Sequence, residues 1–234
     1  MKKFIILSIA LLALVGCKNR RSEEAAPEAE PKAEAPVAVL DTVAAAKAAA
    51  TLPEEPVFDI VTTMGTIKVR LYKNTPKHRD NFEKLAIAGY YDSLRFHRVI
   101  HDFMIQGGDP LSRDTSKFEL WGTGGPEYQI PAEFVPEYRH KKGALAAARR
   151  GDQANPYKES SGSQFYLVQN PDNCAHLDGA YTVFGETVAG LNVIDRIAGA
   201  RTDRYDRPLK EILILSIRPD KEYNELAKTS SDNP

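Results

Sequence analysis

The 234-residue chain reads as many short strands interrupted by only two helical stretches, and that pattern constrains the fold more than any other feature. Residues 57–63 and 66–72 flank Met64-Gly65 and form a predicted hairpin. Ile67, Val69 and Leu71 alternate with Thr66, Lys68 and Arg70, so one face of that strand is buried. Thr75 then Pro76 read as N-cap and first residue of a helix, with Phe82, Leu85 and Ala86 as its apolar stripe and Gly89 as its stop. Leu191, Ile194 and Ile197 repeat the pattern, stopped by Gly199, and residues 212–217 read as a closing strand. Such a sequence fits a mainly β domain, a closed antiparallel barrel capped at both ends. No internal repeat is visible.

The densest chemistry lies in residues 96–109, Phe-His-Arg-Val-Ile-His-Asp-Phe-Met-Ile-Gln-Gly-Gly-Asp. Residues 96–100 and 103–107 read as two strands meeting at His101-Asp102. Side chains alternate along a strand, so Arg98 and Ile100 point opposite to His97 and Val99. Gly107-Gly108 lets the chain leave the sheet. The run can build a half-apolar, half-polar groove around one arginine. Its chemistry alone favours a buried hairpin with a snorkelling arginine and a satisfied glutamine.

Eight further stretches, in order, decide between these readings. They are residues 62–67 (Thr-Thr-Met-Gly-Thr-Ile), Asn81-Phe82, residues 89–92 (Gly-Tyr-Tyr-Asp), residues 122–125 (Gly-Thr-Gly-Gly), residues 143–146 (Gly-Ala-Leu-Ala), residues 162–166 (Gly-Ser-Gln-Phe-Tyr), residues 177–179 (Leu-Asp-Gly) and residues 183–185 (Val-Phe-Gly). Together with the 96–109 run, this order resembles the cyclophilins, the peptidyl-prolyl cis-trans isomerases, from about Val57 to Ile217. The resemblance implies an eight-stranded closed barrel with two α-helices. It implies that Arg98 is the catalytic arginine. It places Phe103, Met104, Gln106, Ala148, Gln164, Tyr166, His176, Leu177 and Tyr181 in the substrate site. Tyr166 stands where the family usually has phenylalanine, His176 where many members have tryptophan and Tyr181 where many have histidine; Arg149 replaces a common asparagine. These changes keep a ring-bearing wall.

The implied chemistry suits the residues. Resonance sets a barrier of roughly 18–20 kcal/mol to rotation about a peptide bond. Rotation breaks no bond, so no nucleophile, metal or cofactor is expected. An apolar pocket (Phe103, Met104, Tyr166, Leu177) can grip the proline ring, and a permanently protonated guanidinium can stabilise the twisted amide. The rate is then expected to be nearly flat between about pH 6 and 9, since arginine does not titrate there. A binding module of the same fold, holding proline-containing segments without turnover, is the alternative. His78-Arg79-Asp80 lacks the rest of a kinase set, residues 122–125 lack the Gly-Lys-Ser/Thr of a phosphate loop, and Ser163 has no nucleophile elbow.

The net charge of −1 argues against a nucleic-acid partner; proline-containing polypeptides are the expected one, with a monomer as the default state. Lys2 and Lys3 precede an apolar run of about twelve residues, too short to span a bilayer, which takes about 20. Residues 1–17 therefore read as a signal peptide, and residues 14–17 (Leu-Val-Gly-Cys) resemble a bacterial lipobox in which Cys17 is lipidated. That predicts a bacterial envelope protein anchored to a membrane through Cys17, its domain in the periplasm or at the cell surface. Cys174 would then be the only other cysteine, and no internal disulfide forms. Residues 18–56, rich in Ala, Glu and Pro, read as a disordered tether, residues 57–218 as the isomerase domain and residues 219–234 as a polar tail.

Overall fold

A computed structural model describes residues 41–231. The expected signal peptide, Cys17 and residues 18–40 of the expected tether lie outside the described residues. In chain order the elements are α1 (Thr42–Ala49), β1 (Val57–Thr62), β2 (Gly65–Leu71), α2 (Pro76–Ile87), β3 (Leu94–Arg95), β4 (Arg98–Ile100), β5 (Met104–Gly107), β6 (Gln129–Ile130), β7 (Ala144–Ala147), β8 (Ser160–Ser161), β9 (Phe165–Val168), β10 (Val183–Ala189), α3 (Leu191–Ala198), β11 (Leu213–Pro219) and α4 (Lys221–Ser231). Among the described residues, nine strands form one antiparallel sheet in the order β3-β11-β1-β2-β10-β7-β9-β5-β4, and β6 pairs with β8 apart from it.

This corrects the expected closed eight-stranded barrel with two helices. The sheet is mainly β as expected, but its two ends, β3 and β4, are not paired with each other. They are consecutive in the chain, joined through Phe96-His97, so covalent continuity rather than a hydrogen-bond ladder bridges the seam. The Phe96 amide donates to Ile212 O (3.0 Å) and the Val99 amide to Asp206 O (2.8 Å), pinning this crossing segment to the chain that leads into β11.

Period two sorts the strand side chains into two cores. Phe58, Ile60, Val69, Ile105, Leu145, Phe165 and Leu167 belong to the main cluster, where Phe82 of α2 touches Phe58, Tyr91, Phe165 and Phe184 at centroid distances of 5.9, 5.2, 5.6 and 5.7 Å. Their strand neighbours Met104, Ala144, Ala146, Tyr166 and Val168 form a second cluster on the opposite face, with Cys174 and Leu177. Strands β7 and β9 are thus buried on both faces, which the alanines of β7 permit. The second face carries the site.

Local details also differ. The β1–β2 connection is Thr63-Met64, one residue earlier than predicted, because Gly65 takes φ +127° and pairs with Thr62. Pro76 opens α2 and Thr75 holds the N-cap position as predicted, but the Thr75 side chain makes no capping hydrogen bond; the amides of Lys77 and His78 donate instead to the Glu133 carboxylate, both at 3.0 Å. Residues 41–56 are not a featureless tether. Asp41 caps α1 by accepting from the Ala44 amide (2.8 Å), Ala45 is buried as α1 packs on α2, and Leu52 packs on the main core. Alanine's high helix propensity and small side chain explain both helix and close approach. The polar tail likewise contains α4. Its buried Asn224 accepts from the Val57 amide (2.8 Å) and donates to Val57 O (2.9 Å), completing the start of β1.

Candidate active site

Antiparallel register places Arg98 opposite Gln106, Gln106 opposite Tyr166, and Tyr166 opposite Ala146, a row across β4, β5, β9 and β7. Side chains opposite one another share a face, so the row is the floor of one site. A cavity of about 260 Å³ opens over it. Arg98, Phe103, Met104, Gln106, Ala148, Tyr166, Leu177 and Tyr181 all line it, which brings together eight of the ten expected residues. Gln164 lines an adjoining cavity of about 490 Å³ instead, which shares Gln106, Gly122, Ala148 and Arg149 with the first. His176 lines neither; its ring lies parallel to Phe103 at 6.4 Å, so it supports the wall from behind.

Arg98 is half-exposed, its Nε 3.6 Å from Asp206 Oδ2. That ion pair is long and solvated, worth at most about 1 kcal/mol, so the guanidinium is free to bind a ligand. Gln106 Nε2 donates to Gln164 Oε1 (3.0 Å), and Gln164 Nε2 donates to Gly122 O (3.1 Å) and Gly124 O (2.7 Å). The two amides thereby tie the glycine-rich loop to the floor. Buried Asp109 holds the loop from below, accepting from the amides of Leu111 (2.7 Å), Gly122 and Gly124 (3.2 Å). Gly108 makes the exit from β5 possible: its φ is +90°, and a Cβ there would lie 2.3 Å from Ser163 O.

The Tyr166 hydroxyl has a partner. His140, 26 positions away in sequence, lies with its Nε2 2.8 Å from that hydroxyl and its Nδ1 2.7 Å from Asp178 Oδ1. Burial lowers the His140 pKa despite Asp178's opposing pull. Burial alone would raise Asp178, but hydrogen bonds from His140 and Arg139 outweigh it and hold the carboxyl below its ordinary value. A neutral His140 therefore donates from Nδ1 to Asp178 and accepts the Tyr166 proton at Nε2. His97, at the back of the cavity, is also neutral at pH 7, burial pulling its pKa down to about 4.

Sequence reading missed one wall. Trp121, Tyr205 and Arg207 line the cavity, with the buried Arg207 guanidinium 4.2 Å over Phe118 and 5.4 Å from the Tyr205 ring. Trp121 is anchored by its Nε1 donating to Asp114 O (3.0 Å). Its being the chain's single tryptophan was the only available signal. Arg149 lies 4.3 Å over the Tyr181 ring and donates from Nε to Ala180 O (2.8 Å), fixing that aromatic against the pocket.

Arginine, amide and tyrosine thus form a floor beside an apolar wall. Residues 57–218 match the family model described as cyclophilin type peptidyl-prolyl cis-trans isomerase/CLD. The chain is 40% identical over 161 residues to the peptidyl-prolyl cis-trans isomerase-like 1 of Neurospora crassa, covering 68% of this chain and 91% of that one. It is 38% identical over 159 residues to peptidyl-prolyl cis-trans isomerase 9 of Schizosaccharomyces pombe, covering 68% of this chain but only 24% of that longer protein. Its structure is similar to that of a cyclophilin type isomerase from Cryptosporidium parvum, with TM-score 0.63 and 28% identity over 71% of this chain and 98% of the other. The chain belongs to the cyclophilin-type peptidyl-prolyl cis-trans isomerase family, and isomerisation of X-Pro peptide bonds is its activity.

Proposed function

We propose that the chain turns X-Pro bonds without covalent chemistry, Arg98 donating to the twisted amide while Phe103, Met104, Leu177 and the ring of Tyr166 hold the proline. Gln106, Gln164 and Ala148 offer donors, acceptors and a small surface to the peptide backbone, and His176 and Tyr181 support the pocket. The observation that carries this reading is the register of Arg98, Gln106 and Tyr166 beneath one apolar-walled cavity. The Cryptosporidium parvum isomerase was also crystallised in the presence of the dipeptide Ala-Pro, which supports a proline peptide as ligand here. Partnering of the Tyr166 hydroxyl by His140 removes the burial cost that would favour a binding module without turnover.

The mechanism is tested by the cis-to-trans rate of an Ala-Pro peptide with the full chain and its Arg98→Ala variant. A preorganised donor is worth roughly 10²–10³ in rate, and the variant is expected to lose about that much with its fold intact. Equal turnover would remove Arg98 from the chemistry.

The first 17 residues support a further proposal: a bacterial lipoprotein form, tethered through lipidated Cys17 at a cell envelope and acting on polypeptides folding there. Residues 57–218 would be the working domain. Metabolic labelling with a fatty acid, lost in Cys17→Ser, tests the anchor.

A further inference from the structure

The two adjoining cavities have an uneven charge. Arg98, Arg149 and Arg207 line the first, Arg149 and Arg150 the second, and no aspartate or glutamate lines either. The chain as a whole carries 31 basic and 32 acidic residues, so this excess is local to the groove and not a property of the protein's overall charge.

Two of the four arginines have acidic neighbours. Arg98 Nε lies 3.6 Å from Asp206 Oδ2, and Arg149 Nη1 lies 2.6 Å from Asp152 Oδ1. Arg207 and Arg150 have none within ion-pair distance among the described residues. Arg207 is more than nine-tenths buried, stacked on Phe118, and donates from Nη2 to Trp121 O (3.3 Å), while its Nη1 has no hydrogen-bond partner. A buried cation without a counter-charge is costly, and its field is weakly screened. It projects into the first cavity. The Arg150 guanidinium is exposed at the second cavity, where Gly122, Gly124 and Gly125 leave room for a ligand side chain.

We propose that the groove selects X-Pro segments carrying a carboxylate side chain, aspartate or glutamate, within the few residues before the proline. The inference rests on the isomerase reading above and names the substrate class of that site. An extended chain advances about 3.3 Å per residue, so a segment whose proline occupies the first cavity lays its preceding residues toward Arg149 and Arg150. Each exposed charge pair is worth up to about fivefold in affinity, and convergent charges in a walled cleft add to one another.

The test compares kcat/KM of the full chain for three peptide sets, with Glu, Ala or Lys at one, two or three positions before the proline. At low salt the best Glu peptide is expected to exceed its Lys counterpart about tenfold or more, and 0.5 M NaCl is expected to reduce that ratio several-fold. In Arg150→Glu the Glu-to-Lys ratio is expected to collapse; because the ratio is taken within one active protein, misfolding cannot mimic the result. Acceleration of the Ala peptide with equal Glu and Lys rates, or a ratio that Arg150→Glu leaves unchanged, would overturn the proposal alone. Acceleration of none of the three would overturn the isomerase reading and this one with it.

Discussion

Replacing Tyr166 by phenylalanine separates what the ring does from what the hydroxyl does. Tyr166 is 4% exposed and His140 2% exposed. The hydroxyl proton satisfies His140 Nε2, whose Nδ1 is committed to Asp178. Phenylalanine leaves that nitrogen buried without a donor, and an orphaned buried acceptor costs about 1–3 kcal/mol. For a domain of this size each kcal/mol moves the midpoint by roughly 2–4 °C, so thermal unfolding of Tyr166→Phe at pH 7.5 is expected roughly 2–12 °C below the parent. Turnover of an Ala-Pro peptide should stay within about threefold, because the ring that lines the cavity is unchanged and, in the function proposed above, it is the ring's hydrophobic contact that holds proline. In a double-mutant cycle with His140→Leu, the double variant is expected to lose about 1 kcal/mol less than the sum of the singles, since each single orphans the other's partner. A midpoint within 1 °C of the parent, as roughly a null shift on that scale, would refute the hydrogen bond. A large fall in kcat/KM would place the hydroxyl on the substrate.

Three other perturbations test the framework. Glu83, buried on α2, has its pKa pushed up to about 7 by burial, which the Arg79 charge only partly opposes. A folded pKa above the unfolded value stabilises below the unfolded pKa and loses that contribution as pH rises through 7, so Glu83→Gln should unfold later than the parent at pH 8, by up to about 3 kcal/mol, and alike at pH 4. His97 has the opposite sign: its pKa of about 4 lies below the unfolded value, so the unfolded chain takes the proton first. It should erode stability as pH falls from 6.5 toward 4, by up to about 3 kcal/mol, and the difference in urea midpoint between His97→Gln and the parent should grow in the variant's favour across that window. Gly108→Ala forces a Cβ to within 2.3 Å of Ser163 O at φ +90° and should cost about 3 kcal/mol or more, read by urea unfolding; a neutral result would mean the β5 exit is not as tight as it stands.

The site was largely legible because its residues lie in short local motifs. One hairpin supplies Arg98, Phe103, Met104 and Gln106, and its register follows from alternation alone. The departures arose where polar groups meet across long sequence separations. Glu133 caps α2 from 55 positions away, Asn224 completes β1 from 167 positions away, and His140 meets Tyr166 from 26 positions away, with β7 and β8 between them. None of these pairings leaves a period in the sequence. The alanine-rich residues 43–50 suggest at most a transient helix, and α1 is packed there through buried Ala45; α4, in a stretch read as a polar tail, buries Asn224 rather than an apolar stripe.

The sequence by itself determined the family, the sheet-based class and most of the pocket floor, because hydrophobic alternation and turn residues act over a few positions and fix which face each side chain takes. Only the tertiary structure decided how the sheet ends meet, which side chains satisfy the buried hydroxyl and helix amides, and that Trp121 and Arg207 form a wall of the cavity. Those outcomes depend on which loops fold over the sheet, and hydrogen-bond satisfaction and stacking between distant segments are settled by that packing rather than by local spacing.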